Sequence, residues 1–271
     1  MTKRKSIIAM LSIVAVLATA GIAGAATGAI KIKGGGEGNA MLRCGGGMSR
    51  LAHPFDEGFT TVFPGDPEVM VEIVNTIPVD FFLLEKITTG THGGTHLDAP
   101  RHFIEDGRSI DQLDASEFVW PAYVIDVRER IASEGPDFLL TIGDIEEYED
   151  EIGKINPGSM VIVQTGLEEL FGTPAYLTTN APGFSAPAVQ WLFDERDIGG
   201  LGADGLGPDA SIDFDFLATY TALDNDGVTL PGLNNLDSLN RRGDIIIAPA
   251  VPLVGGSGYQ VDPLACHGKK K

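Results

Sequence analysis

Positive charge is scarce in this chain: 19 Lys and Arg stand against 38 Asp and Glu, a formal net charge of −19. A surface that acidic repels phosphate backbones, which argues against nucleic acid as a partner. Acids spread along the whole chain read as a solubilising surface, not a binding tail. Cysteine is nearly absent. The two present, Cys44 and Cys266, form no CxxC pair and have no His at metal-site spacing, which excludes a zinc ribbon or finger. There is no HExxH helix and no GxxxxGK[ST] loop, which removes the common metalloprotease and nucleotide-binding signatures. Beyond the N-terminal segment no run is long and apolar enough to span a bilayer. There is no internal repeat and no second linker.

What is present suffices for one large fold. Hydrophobic residues make up 43% of 271 positions, enough for a sizeable core. Residues 1–25 carry a basic start (Lys3, Arg4, Lys5), a nearly continuous apolar stretch from Ile7 to Ile22 and the small residues Ala23-Gly24-Ala25. This pattern predicts a signal peptide cut after Ala25 and an exported protein, periplasmic or extracellular; the alternative is an uncleaved anchor that tethers the chain to a membrane. Residues 26–49 are glycine-rich and patternless and read as a linker, so the folded domain is expected over 50–265. Cys44 and Cys266 lie near the two ends of the exported chain. Export permits a bridge between them, with two free thiols as the alternative. His267 beside Cys266 sits in a terminal tail and is assigned no role.

Strands are expected at Glu68–Pro78, Phe81–Thr89, Trp120–Val127, Met160–Thr165, Ile198–Ala203 and Asp244–Val254, from β-branched or continuous apolar runs. Met160–Thr165 (MVIVQT) reads as buried on both faces. Helices are expected at Thr141–Ile155, where Thr141 and Asp144 resemble a capping box, and at Ser185–Arg196, with Ser185 as cap and Pro187 in the first turn. Strands outnumber helices.

Three of the five histidines fall in Thr91–Phe103, THGGTHLDAPRHF. His92, His96, Asp98 and His102 place four metal- or proton-handling side chains within eleven residues. Gly93-Gly94 and Pro100 argue for an irregular loop, and the step of two from His96 to Asp98 puts both side chains on one side. Two imidazoles and one carboxylate form a three-ligand set of the catalytic type, which leaves a coordination position for water or substrate. His102 is either a fourth ligand or a base beside the site. Asp224–Gly227 (DNDG) lacks the outer ligands of a calcium loop and reads as a turn.

The stretch HGGTHLDAPRHF resembles the HxGTHxDxPxH signature of the cyclase family of metal-dependent hydrolases, which includes kynurenine formamidases and isatin hydrolases. Leu51-Ala52-His53, Phe63–Pro67 (FPGDP), Thr165-Gly166, Pro182–Ser185, Leu233–Leu239 and Gly255–Gly258 are similar to further family landmarks, so the resemblance covers roughly residues 50–263. It implies a mixed α/β fold of the swivelling β/β/α type, a β-rich core with helices packed outside, and a homo-oligomer. It implies that His92, His96 and Asp98 bind one divalent metal, zinc or manganese, and that His102 is the acid/base. The implied reaction is hydrolysis of an amide, an aryl formamide or a cyclic amide such as isatin, by water on the metal. Two family ligands are replaced, by Thr219 and Pro231, which argues for one metal and not two; Asp224 and Asp226 lie near enough in sequence to substitute. The partner is then a small aromatic or cyclic amide. Two other readings stay open: an exported metal- or ligand-binding protein without turnover, and a hydrolase of another ester or lactone. Phe63 and Phe184, carried on Pro-Gly segments, are the candidates for the substrate pocket.

Overall fold

The computed structural model describes residues 44–268. The expected export segment, and the expected linker up to residue 43, lie outside the described residues. Among the described residues no helix is long and apolar enough to cross a membrane.

The strands are β1 (Met48–Arg50), β2 (Met70–Asn75), β3 (Leu84–Thr88), β4 (His96–Asp98), β5 (Val119–Asp126), β6 (Leu139–Leu140), β7 (Met160–Gln164), β8 (Gly183–Phe184), β9 (Gly200–Ala203), β10 (Val228–Leu230), β11 (Arg242–Ile247), β12 (Gly258–Gln260) and β13 (Leu264–Cys266). The helices are α1 (Ile77–Asp80), α2 (Arg128–Glu134), α3 (Ile142–Ile152), α4 (Pro174–Thr178), α5 (Ala186–Arg196) and α6 (Leu217–Asp224). Nine strands form one curled sheet in the order β1-β13-β11-β5-β7-β9-β10-β4-β12. Its centre, β5-β7-β9-β10, is parallel, and antiparallel strands complete both sides. Helices pack outside this β-rich core, as the family resemblance implies.

Strand β7 explains the architecture. Met160 and Ile162 point into one apolar cluster with Trp120, Leu97 and Leu230; Val161 and Val163 point into the other. With period-2 side chains, a strand covered on both faces must be apolar at every position. The second cluster is closed by α3, α5 and α6 through Ile145, Tyr148, Val189, Leu192, Ala218 and Ala222. Thr141 accepts from the Asp144 amide and Asp144 accepts from the Thr141 amide, and Ser185 accepts from the Ala188 amide, so the two foreseen helices start where their caps dictate.

Several expectations change. β11 ends at Ile247 and not near Val254, because Pro249 and Pro252 cannot donate to a ladder. Helices α2 and α6 were not foreseen; α6 is too uniformly apolar on its inner half to show a clear period. The fold takes in residues before Arg50: β1 starts at Met48 against β13, and Cys44 is disulfide-bonded to Cys266, with Cα atoms 4.9 Å apart. That bridge ties the first described residue to the last strand.

Candidate active site

The conserved chemistry of an α/β sheet collects beyond the carboxyl ends of its parallel strands, and this sheet follows that rule. A cavity of about 480 Å³ opens past Val163 and Thr165 of the β7 end, Ala203 and Gly205 after β9, and Pro231 and Gly232 after β10. Asp204, fully buried, braces this floor: its carboxylate accepts from the Thr165 amide and hydroxyl and from the Gly166 amide. Burial pushes the Asp204 carboxyl up, and those donors offset part of the effect.

His92, His96, Asp98 and His102 all line this cavity. His96 and Asp98 lie on β4, between β10 and β12, and both are buried. His92, His96 and Asp98 each turn one donor atom into a common space, all within 4.8 Å of one another. His96 Nδ1 lies 2.8 Å from the Gly94 carbonyl and must donate to it, so Nε2, 3.2 Å from Asp98 Oδ1, is the nitrogen that faces the shared space. His92 Nε2 is held by the Ser257 hydroxyl at 2.8 Å while its Nδ1 meets Asp98 Oδ1 at 2.7 Å. The second oxygen, Asp98 Oδ2, accepts from the Thr229 hydroxyl at 2.5 Å. Burial alone would raise the Asp98 carboxyl, but His96 and His92 beside it hold it well below the usual range, so it is an anion. Burial pulls His96 down, yet Asp98 and the Gly94 carbonyl pull harder, and its net shift is upward.

This donor set fits a divalent cation: two oriented imidazole nitrogens, one ionised carboxylate, and a second layer that fixes each of them. Glycine makes the approach feasible. Gly94 has φ +68°, and a Cβ there would lie 2.9 Å from the Thr60 methyl; a Cβ on Gly258 would lie 2.7 Å from His92 Cε1.

His102 ends a short 3-10 turn and stacks on His92, ring centroids 3.7 Å apart and planes 19° apart. It lies over the His92, His96 and Asp98 group and outside the set of atoms that converge there. Burial lowers its proton affinity, which favours a neutral ring that can accept a proton.

Phe63 lines the cavity, with Phe103 and Phe216 in edge contact around it. Phe184 does not. It is fully buried in the helix-side core, because its strand β8 pairs with β6 away from the cavity. Thr219 and Pro231 do face the cavity. Thr219 gives its amide and hydroxyl to Asp209, and Pro231 has no ligating atom in its side chain. Asp224 and Asp226 do not replace them: Asp226 is paired to Arg108 at 2.7 Å and Asp224 is exposed at the end of α6. The DNDG stretch is the turn from α6 into β10, with Asp226 at φ +60°.

Three residues received no role from the sequence: Thr229, Ser257 and Asp209. Each acts through one hydroxyl or carboxylate far along the chain from the motif; Ser257 lies in the Gly255–Gly258 landmark, and no local spacing marks the other two. Among the described residues, a wider cleft of about 850 Å³ near Arg50, His53 and Asp262 gathers no comparable donor set, and its one basic side chain, Arg50, is paired to Asp262 at 2.8 Å.

Known proteins align with this geometry. Residues 49–210 match the family described as "Putative cyclase". An isatin hydrolase of Roseibium aggregatum is 31% identical over 216 residues, covering 73% of this chain and 81% of that protein. A kynurenine formamidase of Salinibacter ruber is 37% identical over 153 residues, covering 50% of this chain and 72% of that protein. The solved isatin hydrolase A of Ralstonia solanacearum superposes with a TM-score of 0.74 at 28% identity, over 80% of this chain and 90% of that chain.

Proposed function

The chain belongs to the cyclase family, and from that premise we propose that it is a metal-dependent hydrolase of a small aromatic or cyclic amide. The observation that carries this reading is the convergence of His92, His96 and Asp98 at the floor of an aromatic-lined cavity, with His102 stacked directly on one of them. A zinc or manganese ion held there would acidify water and polarise a carbonyl. The residues of the chain do the rest. Asp98, fixed by Thr229, and the two oriented imidazoles would hold the cation; His102 takes a proton from water and delivers one to the departing nitrogen. Phe63, Phe103 and Phe216, set edge to face, supply an aromatic wall against which an aryl ring packs. Thr219, engaged with Asp209, and Pro231, without a ligating side-chain atom, support one cation per chain.

The test is hydrolysis of N-formyl aromatic amines and isatin-like rings by the purified protein with zinc or manganese. We expect His92→Ala to lose both metal and activity. We expect His102→Gln to keep the metal and lose about 10²–10⁴-fold in kcat/KM. Turnover of none of these compounds, with metal bound at one per chain, would select the binding protein without turnover. Turnover confined to esters or lactones would select the third reading.

Export fits the Cys44–Cys266 bridge, since disulfides persist in oxidising compartments. Assembly with further copies fits the β2–β3 hairpin and α1, where Val79 and Phe81 are 75% and 89% exposed beside Phe82, Leu83 and Ile87. Light scattering on the purified protein reads the assembly.

A further inference from the structure

The cavity is charged on one side of the ledger only. Among the described residues Asp66, Asp98, Asp209 and Asp213 line it, and no Lys or Arg does. Three of these carboxylates are occupied. Asp98 meets His92, His96 and Thr229. Asp209 accepts from the Thr219 amide and hydroxyl. Asp213 accepts from the Asp215 and Leu217 amides at 3.1 and 3.0 Å. Both of the latter therefore cap the start of α6, whose own N-cap, Phe216, offers no side-chain oxygen.

Asp66 is different. Among the described residues its carboxylate has no hydrogen bond and no ion pair. It stands on the Phe63–Pro67 turn, which is fixed by the Asp66 amide donating to the Phe63 carbonyl at 3.0 Å. That turn also carries the aromatic wall residue Phe63. The charge of Asp66 is felt at both His96 and His102, so it stands within electrostatic reach of the reacting corner. An exposed, unpaired carboxylate on the rim of an aromatic cavity is a complement to a cation on the ligand.

We propose that Asp66 is a specificity-determining residue that selects aromatic amides carrying a cationic substituent, such as a protonated amine or quaternary ammonium, and disfavours those carrying an anionic one. This rests on the hydrolase reading above. The neutralising partner that a carboxylated substrate needs is missing from the described wall, and the protein's overall acidity adds to the bias.

The test uses three para-substituted formanilides bearing trimethylammonium, tert-butyl or sulfonate groups. The first two are matched in shape and differ in charge, and sulfonate is a weak metal ligand. Values of kcat/KM are measured for the metal-loaded wild type and for Asp66→Asn; comparing the two proteins cancels the intrinsic reactivity of each probe. One unit charge at contact range in a partly solvated site changes such a ratio by about tenfold or more. We expect the ammonium-over-sulfonate preference to fall about tenfold in Asp66→Asn and to weaken in high salt, with metal content and melting temperature unchanged. A preference that is absent in the wild type or unaltered by the substitution overturns the proposal. So does loss of metal in Asp66→Asn, which would make Asp66 a ligand. If no probe is turned over, dissociation constants of the same three compounds, measured by calorimetry, decide the charge preference by the same ratio, while isatin-like rings test the hydrolase reading separately.

Discussion

Thr229→Val removes one hydroxyl and keeps the branched shape that β10 requires. Thr229 and Asp98 are both buried, facing each other across the β10–β4 pair, and the hydroxyl is the partner of Asp98 Oδ2. Oδ1 is already engaged by His92 and His96. The substitution therefore leaves half of a buried, ionised carboxylate without its donor. A hydrogen bond to a charged group contributes about 1.5–3 kcal/mol, so the metal-free protein should lose about that much stability. For a domain of this size the melting temperature should fall by roughly 4–10 °C. The carboxylate also loses the contact that aims it, and disturbing such an outer partner weakens metal binding about 10–100-fold. The assays are thermal melts of metal-free protein and metal titration against a competing chelator. A melting temperature within about 1 °C of wild type and an affinity within about twofold would refute the assignment of Thr229 as the residue that orients Asp98. A double-mutant cycle with Asp98→Asn should show strong coupling, since the two residues share one interaction.

Acid sensitivity between pH 6.5 and 4 should trace to His53. Its ring stacks on Phe171 at 3.8 Å and its Nε2 is buried without a partner; burial lowers its pKa to about 4. Below its ordinary pKa of about 6.5 the unfolded chain takes up a proton that folded His53 refuses, so stability is full above pH 6.5 and falls as pH drops toward 4. In urea melts at pH 7 and 4.5, His53→Phe should flatten this loss by about 2 kcal/mol, a figure discounted for partial exposure; an identical pH slope would contradict the assignment. Replacing Cys44 and Cys266 by Ser frees a link across 222 positions and should destabilise by at most about 5 kcal/mol in the chain-entropy limit, read as a lower melting temperature that reductant reproduces in the wild type. Gly94→Ala should cost about 1–3 kcal/mol and weaken metal binding, because residue 94 sits at φ +68° between the two ligand histidines; wild-type melting and affinity would show that the loop adapts freely.

Much of the fold was legible because local rules govern it. MVIVQ could only be a strand buried on both faces, and Thr141 with Asp144 and Ser185 with Pro187 could only begin helices. Where local pattern is weak, reading failed: α6 shows no clean period, and β11 stops early at its prolines. Phe184 illustrates a deeper limit. Sequence placed it on a Pro-Gly segment of the kind that carries pocket residues, but which side of the sheet it faces depends on the pairing of β8 with β6, and that pairing joins residues more than forty positions apart.

The same division holds at the site. The types and the order of the candidate donors, His92, His96 and Asp98, are properties of seven consecutive residues, because a cation site needs particular donor atoms and a short segment brings them together wherever it lies. What fixes each donor is remote in sequence: Ser257 on His92, Thr229 on Asp98, and His102 stacked over His92. Their contribution depends on distances of a few ångströms set by sheet closure, and no periodicity encodes a distance between strands that meet only once the chain has folded. The sequence by itself determined which donor and proton-carrying groups the chain places close together; the tertiary structure decided how those groups are aimed, which aromatic rings face the cavity, and which of its carboxylates is left free among the described residues.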